Sequence, residues 1–160
     1  MIKFKIILIS LFVYVTSYAQ SFNDDKTTFA NFIKRMYTAS AFEGVKVVDD
    51  YNHQYLISVL SLEKAKYANN PSAMVRVAQV KAQSQANTFF NGATISSDLI
   101  IRTTEQKSKD STSVLVETIE SIKQNAMGFT RGLELLTNFE NSDGKRMVYV
   151  YMREMKTEGK

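Results

Sequence analysis

The spacing of apolar residues predicts that the chain begins its folded part with a helix. A stripe of large apolar side chains recurs there at helical intervals: Phe29, Phe32, Ile33, Met36 and Tyr37. Asn and Asp at positions 23–25 suit a helix start, where acids favour the helix dipole. The pattern predicts an amphipathic helix of about four turns that ends between Ser40 and Gly44.

Two pairs of strand-forming segments predict two β-hairpins. Residues 45–49 and 54–62 are rich in strand-forming side chains, and the polar residues 50–53 between them suit a turn. Near the end, alternation from Phe129 to Leu135 and a strand over 147–155 flank the turn residues 141–144. Strand 147–155 is apolar on both faces, which predicts a central strand or one whose outer face is covered.

Between the hairpins the periodicity predicts a helix, a strand and a helix. Asn70 and Pro71 are a strong helix start, and Gly92 fits a left-handed cap at its end. One face of this helix carries a set of small and apolar residues: Met74, Ala78, Ala82, Ala86 and Phe89. Residues 94–106 alternate as a strand, with Ile95, Leu99 and Ile101 inward.

The helix that follows is predicted to start at Ser111 or Thr112 and to break at Gly128. Its apolar stripe is Leu115, Ile119, Ile122 and Ala126. Valine and threonine over 113–116 leave strand extension as a competing interpretation. The full order is α-ββ-α-β-α-ββ, which predicts an α+β two-layer sandwich with helices on one face of an antiparallel or mixed sheet.

The first nineteen residues are typical of a cleaved secretory signal. Lys3 and Lys5 precede an apolar run over 6–15, and Ser17 and Ala19 place small residues before the expected cleavage site. We expect cleavage after Ala19 and a single domain over 20–160; an uncleaved membrane anchor is the alternative, although the run is short for a span. No later segment approaches spanning length, so the mature chain is expected in the periplasm or outside the cell.

Charge and cysteine content narrow the function classes. Cleavage removes Lys3 and Lys5 and no acid, so Lys+Arg falls from 20 to 18 against 16 Asp+Glu, a net charge of +2. Acids and bases are interspersed, so the sequence predicts no nucleic-acid partner. The chain has no cysteine, which excludes disulfides, thiolate metal clusters and a lipid thioether anchor.

One cluster carries metal-ligand residue types: Asp49, Asp50, Asn52 and His53. It lacks the glycine and the downstream glutamate of a calcium loop, so a solvated hairpin turn is favoured. The chain has no Gly-x-Ser-x-Gly elbow, and the residues from Gly128 to Gly132 lack the Lys-Ser/Thr ending of a phosphate-binding loop. The sequence therefore predicts no catalytic, cofactor or metal residues.

Residues 71–155 carry a family resemblance. The alanines at 78, 82 and 86, the junction of Ala126, Gly128 and Gly132, an Asp-Gly turn and the final residues 148–150 resemble the Lpp-twenty family of small envelope lipoproteins. The fold of that family is similar to that of the N-terminal domain of the flagellar protein FlgT. The anchor cysteine is missing here, and Phe139 stands where the family often has tryptophan. The resemblance implies an extracytoplasmic accessory or structural role without catalytic residues.

These observations predict an exported, non-enzymatic protein of a Gram-negative envelope, of structural or protein-binding type, that contacts another envelope protein. The residues expected to contact the partner are Phe29 and Tyr37 on the first helix and Tyr149 and Tyr151 on the final strand. The alternative is a periplasmic small-ligand binder or hydrolase with a pocket under the Ala-rich helix. Self-association through an edge strand, giving a homo-oligomer, is a further possibility.

Overall fold

The computed structural model describes residues 21–50, 53–68, 70–92, 97–103 and 109–156. The helices in these ranges are α1 (Ser21–Ala39), α2 (Pro71–Gly92), α3 (Lys109–Lys123) and α4 (Ala126–Arg131). The strands are β1 (Gly44–Asp50), β2 (His53–Glu63), β3 (Ile100–Arg102), β4 (Glu134–Glu140) and β5 (Arg146–Met155), with short 3₁₀ turns at Lys64–Tyr67 and Ser97–Leu99. The chain divides into two units, the first ending at Ser40 and the second beginning at Ala41.

In the first unit, α1 has the amphipathic character that its sequence predicts. Ile33 is buried, and the other members of the apolar stripe are half-buried, while Lys34 and Arg35 are exposed. The Thr38 hydroxyl donates to the Lys34 carbonyl at 2.8 Å in the last turn. The residues at 23–25 lie inside this helix rather than at its start.

The second unit contains a five-stranded mixed sheet in the order β3-β1-β2-β5-β4. β1 pairs with β2, β2 with β5 and β5 with β4, each antiparallel, whereas β3 runs parallel to β1. Both predicted hairpins are present, and Gly144 takes the positive φ (69°) expected of the second turn. An α+β fold with helices on a sheet is therefore confirmed. Of the two sheet types expected, antiparallel or mixed, the sheet is mixed.

The helices of the second unit pack on one face of this sheet. α2 begins where the sequence predicts, because the Asn70 side chain accepts a hydrogen bond from Ala73 N–H at 2.9 Å. Its buried face joins apolar residues of α3 and α4 and one face of the strands in a single core cluster. The strand residues in that cluster are Val47, Leu56, Leu60, Leu62, Tyr149, Tyr151 and Met155.

The opposite face of the central strands is buried as well. Five valine and isoleucine residues there have at most a trace of exposed surface: Val48, Ile57, Val59, Val148 and Val150. Strands that are buried on both faces carry near-continuous apolar runs, and this is the pattern of β2 and β5. The prediction that 147–155 is a central strand is confirmed, since β5 lies between β2 and β4.

The strand expected over 94–106 is much shorter in the structure. Residues 97–99 form a 3₁₀ turn and only Ile100–Arg102 pair with β1. Lys46 Nζ donates to the Asp98 carbonyl at 2.6 Å, which holds the turn beside β1. Residues 94–96 and 104–106 lie outside the described residues, and so does the inward position expected for Ile95.

The helix break expected at Gly128 falls earlier, and the strand expected from Phe129 begins later. α3 ends at Lys123, α4 starts at Ala126 with Gly128 and Phe129 inside it, and β4 begins at Glu134. The physical reason is local capping, since the Asn125 side chain accepts a hydrogen bond from Gly128 N–H and starts a new helix. Strand extension over 113–116 is also wrong, because these residues are helical.

Other helix ends differ from expectation by a few residues. Gly92 is the last residue of α2 rather than a left-handed cap after it. α3 begins at Lys109, so Ser111 and Thr112 lie within its first turn. The apolar stripe of Leu115, Ile119, Ile122 and Ala126 is buried as predicted.

Within the described ranges, none of the helices combines the length and the apolar character that crossing a membrane requires. The segment 1–19 that the sequence predicts to be a signal, and the cleavage site predicted after Ala19, lie outside these ranges. Tyr51 and Asn52 of the first hairpin turn and the tail 157–160 lie outside them too.

Candidate functional site

Two of the four residues expected to contact a partner are interior. Tyr149 and Tyr151 are 4% and 2% exposed and belong to the core under the helices. The Tyr151 hydroxyl donates to the Val75 carbonyl at 3.3 Å, which ties β5 to α2. Burial raises the pKa of both phenols, and for Tyr151 the neighbouring Tyr149 raises it further. The expectation of a contact surface at these tyrosines is thus corrected, because packing under α2 uses both rings.

The other two residues, Phe29 and Tyr37, lie on the apolar stripe of α1. Both are half-buried. Their spacing of eight residues places them on the same side of the helix. Their contact with a partner stays a prediction.

The aspartates and the histidine of the first hairpin have separate partners. Asp50 Oδ1 accepts from the Thr103 hydroxyl at 2.6 Å, and the Asp49 carbonyl accepts from Thr103 N–H at 3.2 Å. His53 contacts Glu154 instead. No group of three or more potential metal ligands of the His, Asp and Glu types occurs among the residues that the structure describes, and Asn52 lies outside them.

His53 belongs to an exposed cluster where β2 begins and β5 ends. Its Nδ1 lies 2.8 Å from Glu154 Oε1, and Lys156 Nζ lies 3.0 Å from Glu154 Oε2. Tyr55 stacks on the imidazole with ring centroids 6.1 Å apart, and Tyr55 is directly opposite Glu154 in the strand register. The hydrogen bond with His53 is the main cause that lowers the pKa of Glu154, with smaller help from Lys156 against partial burial.

This carboxylate–imidazole pair lies at a wet surface. The His53 side chain is 58% exposed, so water competes for this contact and the pair contributes little to stability.

A second polar cluster lies where β2 ends and β5 begins. The Ser61 hydroxyl donates to Glu43, and Arg146 donates to the Ser61 carbonyl at 3.1 Å while lying 3.5 Å from the same Glu43 carboxylate. Next to the end of β2, Lys64 Nζ donates to Glu140 Oε1 at 2.6 Å, which links the segment after β2 to the end of β4. Sequence reasoning missed this cluster because its members come from distant segments and share no motif.

The Gly-x-x-x-Gly junction holds two capping side chains around α4. Asn125 Oδ1 accepts from Gly128 N–H at 3.2 Å. At the other end, Arg153 Nη1 donates to the Gly128 carbonyl at 3.0 Å and to the Phe129 carbonyl, with its guanidinium 4.6 Å from the centroid of the Phe129 ring. A Cβ at Gly128 would lie 2.6 Å from Asn125 Oδ1, and one at Gly132 would lie 2.6 Å from Arg153 Cζ. The two glycines therefore make room for the caps.

The alanines of the Ala-rich helix are buried in the core of the second unit. Ala78, Ala82 and Ala86 have no exposed surface and pack in the core cluster. The buried Ser58 hydroxyl also lies under this helix, where it donates to Gln85 Oε1 at 2.7 Å and lies 3.3 Å from the Ala82 carbonyl oxygen. The pocket expected beneath these alanines under the alternative interpretation stays a prediction.

Large apolar side chains are exposed on the helices that cover the sheet. Val80 of α2 is 65% exposed, and four more residues on the three helices are 40% exposed or more: Val75, Val114, Val116 and Met127. Valine is a poor helix former because its branched Cβ restricts χ1. Exposed valines on helices therefore serve neither the core nor helix stability, and the sequence pattern alone had not singled them out.

Comparison with known proteins found no matching family model, no matching curated protein and no matching solved structure.

Proposed function

We propose that this chain is an exported, non-enzymatic protein of a Gram-negative envelope that works by binding another envelope protein. The export proposal draws on Lys3 and Lys5, the apolar run over 6–15 and the small residues before Gln20. The resemblance of 71–155 to the Lpp-twenty family supports the same compartment and an accessory role.

The observation that carries the binding proposal is the set of valines exposed on α2 and α3. Val75 and Val80 lie on α2, and Val114 and Val116 lie on α3, all at least 40% exposed. Each exposes apolar surface at a position where a lysine, glutamate or glutamine would favour both the helix and solubility. If a partner covered these valines, burial of their apolar surface would contribute favourable free energy to binding.

We further propose that α1 contributes to binding through Phe29 and Tyr37. Aromatic residues on one side of an amphipathic helix are common anchors in helix-mediated recognition. This part of the proposal is separable from the exposed valines by mutation.

Export is tested by fractionation followed by intact mass measurement. We expect the protein in the periplasmic or extracellular fraction with Gln20 at its N-terminus. Recovery from the cytoplasm with residues 1–19 retained would contradict export, and recovery in the membrane fraction with those residues retained would favour the uncleaved anchor.

Binding is tested by cross-linked pull-down from the envelope fraction, with the tagged mature chain as bait. The test variants are Val75→Gln with Val80→Gln, and Val114→Gln with Val116→Gln. Glutamine favours a helix more than valine does, so circular dichroism is expected to show intact folds. The matched control is Ser84→Gln, another exposed position on α2.

We expect one captured protein, identified by mass spectrometry, to be recovered with the wild type and the control and to fall several-fold with at least one valine pair. Equal recovery with every bait would contradict the role of the valines. Recovery of this chain alone would contradict binding to another envelope protein and would indicate self-association.

A further inference from the structure

The chain carries its sulfur in methionine alone. It has seven methionines and no cysteine, so a sulfur-directed oxidant meets only thioethers. Of the methionines in the described residues, Met74 and Met155 are each 5% exposed, and Met36, Met147 and Met152 are half-buried. Met127, on α4, is 59% exposed. Oxidation of a thioether follows its access to solvent, which singles out Met127.

A guanidinium lies beside this exposed sulfur. Arg131 Nη2 is 3.5 Å from Met127 Sδ, one helical turn further along α4. A thioether is a weak hydrogen-bond acceptor. A sulfoxide oxygen carries much more negative charge at nearly the same place, so the same N–H group would gain a stronger, charge-assisted bond after oxidation.

We propose that Met127 is a surface oxidation site for peroxide-type oxidants and that Arg131 holds the sulfoxide product. The sulfur lone pair attacks one oxygen of hydrogen peroxide, the S–O bond forms and the O–O bond breaks. Hydroxide leaves and takes the proton from the S–OH group, giving water and the neutral sulfoxide. Sulfur is oxidised by two electrons and the peroxide is reduced.

The position of Met127 lets the fold tolerate this change. Its side chain is mostly in solvent, so the added oxygen enters no packed region, whereas a sulfoxide at Met74 or Met155 would place a polar group in the core. Methionine sulfoxide is reversible by dedicated reductases, so the site can cycle without loss of fold.

The site is tested by limited treatment of the mature protein with hydrogen peroxide and peptide mapping over time. We expect Met127 sulfoxide to form several-fold faster than sulfoxide at Met74 or Met155. Equal rates at the three positions would overturn the proposal, because exposure would then not select Met127.

The role of Arg131 is tested by the change in melting temperature that oxidation causes. For each protein, the change in melting temperature is also measured in a version that carries Met127→Leu. Subtracting that change removes the effect of oxidation at the other methionines. We expect the shift due to Met127 to be small in the wild type and in the control Arg76→Ala, and clearly larger and downward in Arg131→Ala. The same shift in all three would overturn the assignment of Arg131 as the group that holds the sulfoxide.

Discussion

Gly132 leaves open the space through which Arg153 reaches the end of α4. A Cβ on Gly132 would lie 2.6 Å from Arg153 Cζ, while Arg153 donates to the carbonyls of Gly128 and Phe129. α4 has six residues, and a helix of that length is not stable alone. A side chain from β5 therefore holds the carbonyl end of α4 through bonds between residues that are 24 and 25 positions apart.

The contact between Gly132 and Arg153 predicts coupled mutations. Gly132→Ala is expected to lower the free energy of unfolding by about 1–2 kcal/mol, because the methyl group displaces the guanidinium from its carbonyl acceptors. In a protein that already carries Arg153→Met, Gly132→Ala is expected to change stability by much less. Urea unfolding of the two single variants and the double variant measures this coupling. Additive effects would contradict the role assigned to the glycine.

The N-terminal cap of α4 predicts a second stability effect. Asn125→Ala removes the acceptor for Gly128 N–H and is expected to lower the free energy of unfolding by about 0.5–2 kcal/mol. Asn125→Asp keeps an acceptor and is expected to lose less. The matched control is Gln124→Ala, at the exposed position just before the cap. If denaturant unfolding shows equal losses for Asn125→Ala and Gln124→Ala, the cap contributes nothing.

The alanine face of α2 predicts intolerance to larger side chains. Ala82 is wholly buried against the sheet, so Ala82→Leu forces the helix away from it and is expected to cost about 1–3 kcal/mol. Ser84→Leu adds leucine to the same helix at an exposed position and is expected to change stability little. Thermal unfolding compares the two variants, and similar melting temperatures would mean that α2 does not pack closely through Ala82.

The contact between His53 and Glu154 predicts a contribution to acid sensitivity. The lowered pKa of Glu154 in the folded protein means that its contribution to stability is present above the pKa of the unfolded chain. That contribution is lost as pH falls through the folded value. We expect the wild type to lose more stability than Glu154→Gln between about pH 6 and about pH 3.

Urea unfolding across that pH range measures the difference. Glu117→Gln, at an exposed position on α3, is the control for removing one carboxylate. The contribution is expected to be modest because the His53 side chain is largely in solvent. Identical pH dependence in the wild type and Glu154→Gln would show that the pair does not favour the folded state.

Local sequence predicted the elements whose boundaries depend on nearby residues. α2 starts after Asn70 because that side chain caps it, and the final turn follows from a glycine with positive φ at 144. Alternation of side chains predicted a strand from Phe129 to Leu135. Residues 129–131 instead belong to α4, because Asn125 and Arg153 cap the two ends of that helix and Arg153 is distant in sequence.

The candidate sites were less predictable than the elements. Tyr149 and Tyr151 stood out as aromatic residues in excess of one core face, but packing beneath α2 buries them. Ser61 and Arg146 come together because β2 and β5 pair in one register, and Glu43 joins them because it directly precedes β1, which pairs with β2. The exposed valines on α2 and α3 could be identified only from their exposure in the structure, since a valine in a helical sequence pattern is equally compatible with the core.

By itself, the sequence determined most of the helical and extended segments, and that they combine as an α+β fold, because periodicity and capping act over a few residues. Only the tertiary structure decided the order of strands, the parallel pairing of β3 with β1 and the contact of Arg153 with α4. These depend on contacts between residues far apart in the chain, where many pairings satisfy the same local pattern and collective packing selects one.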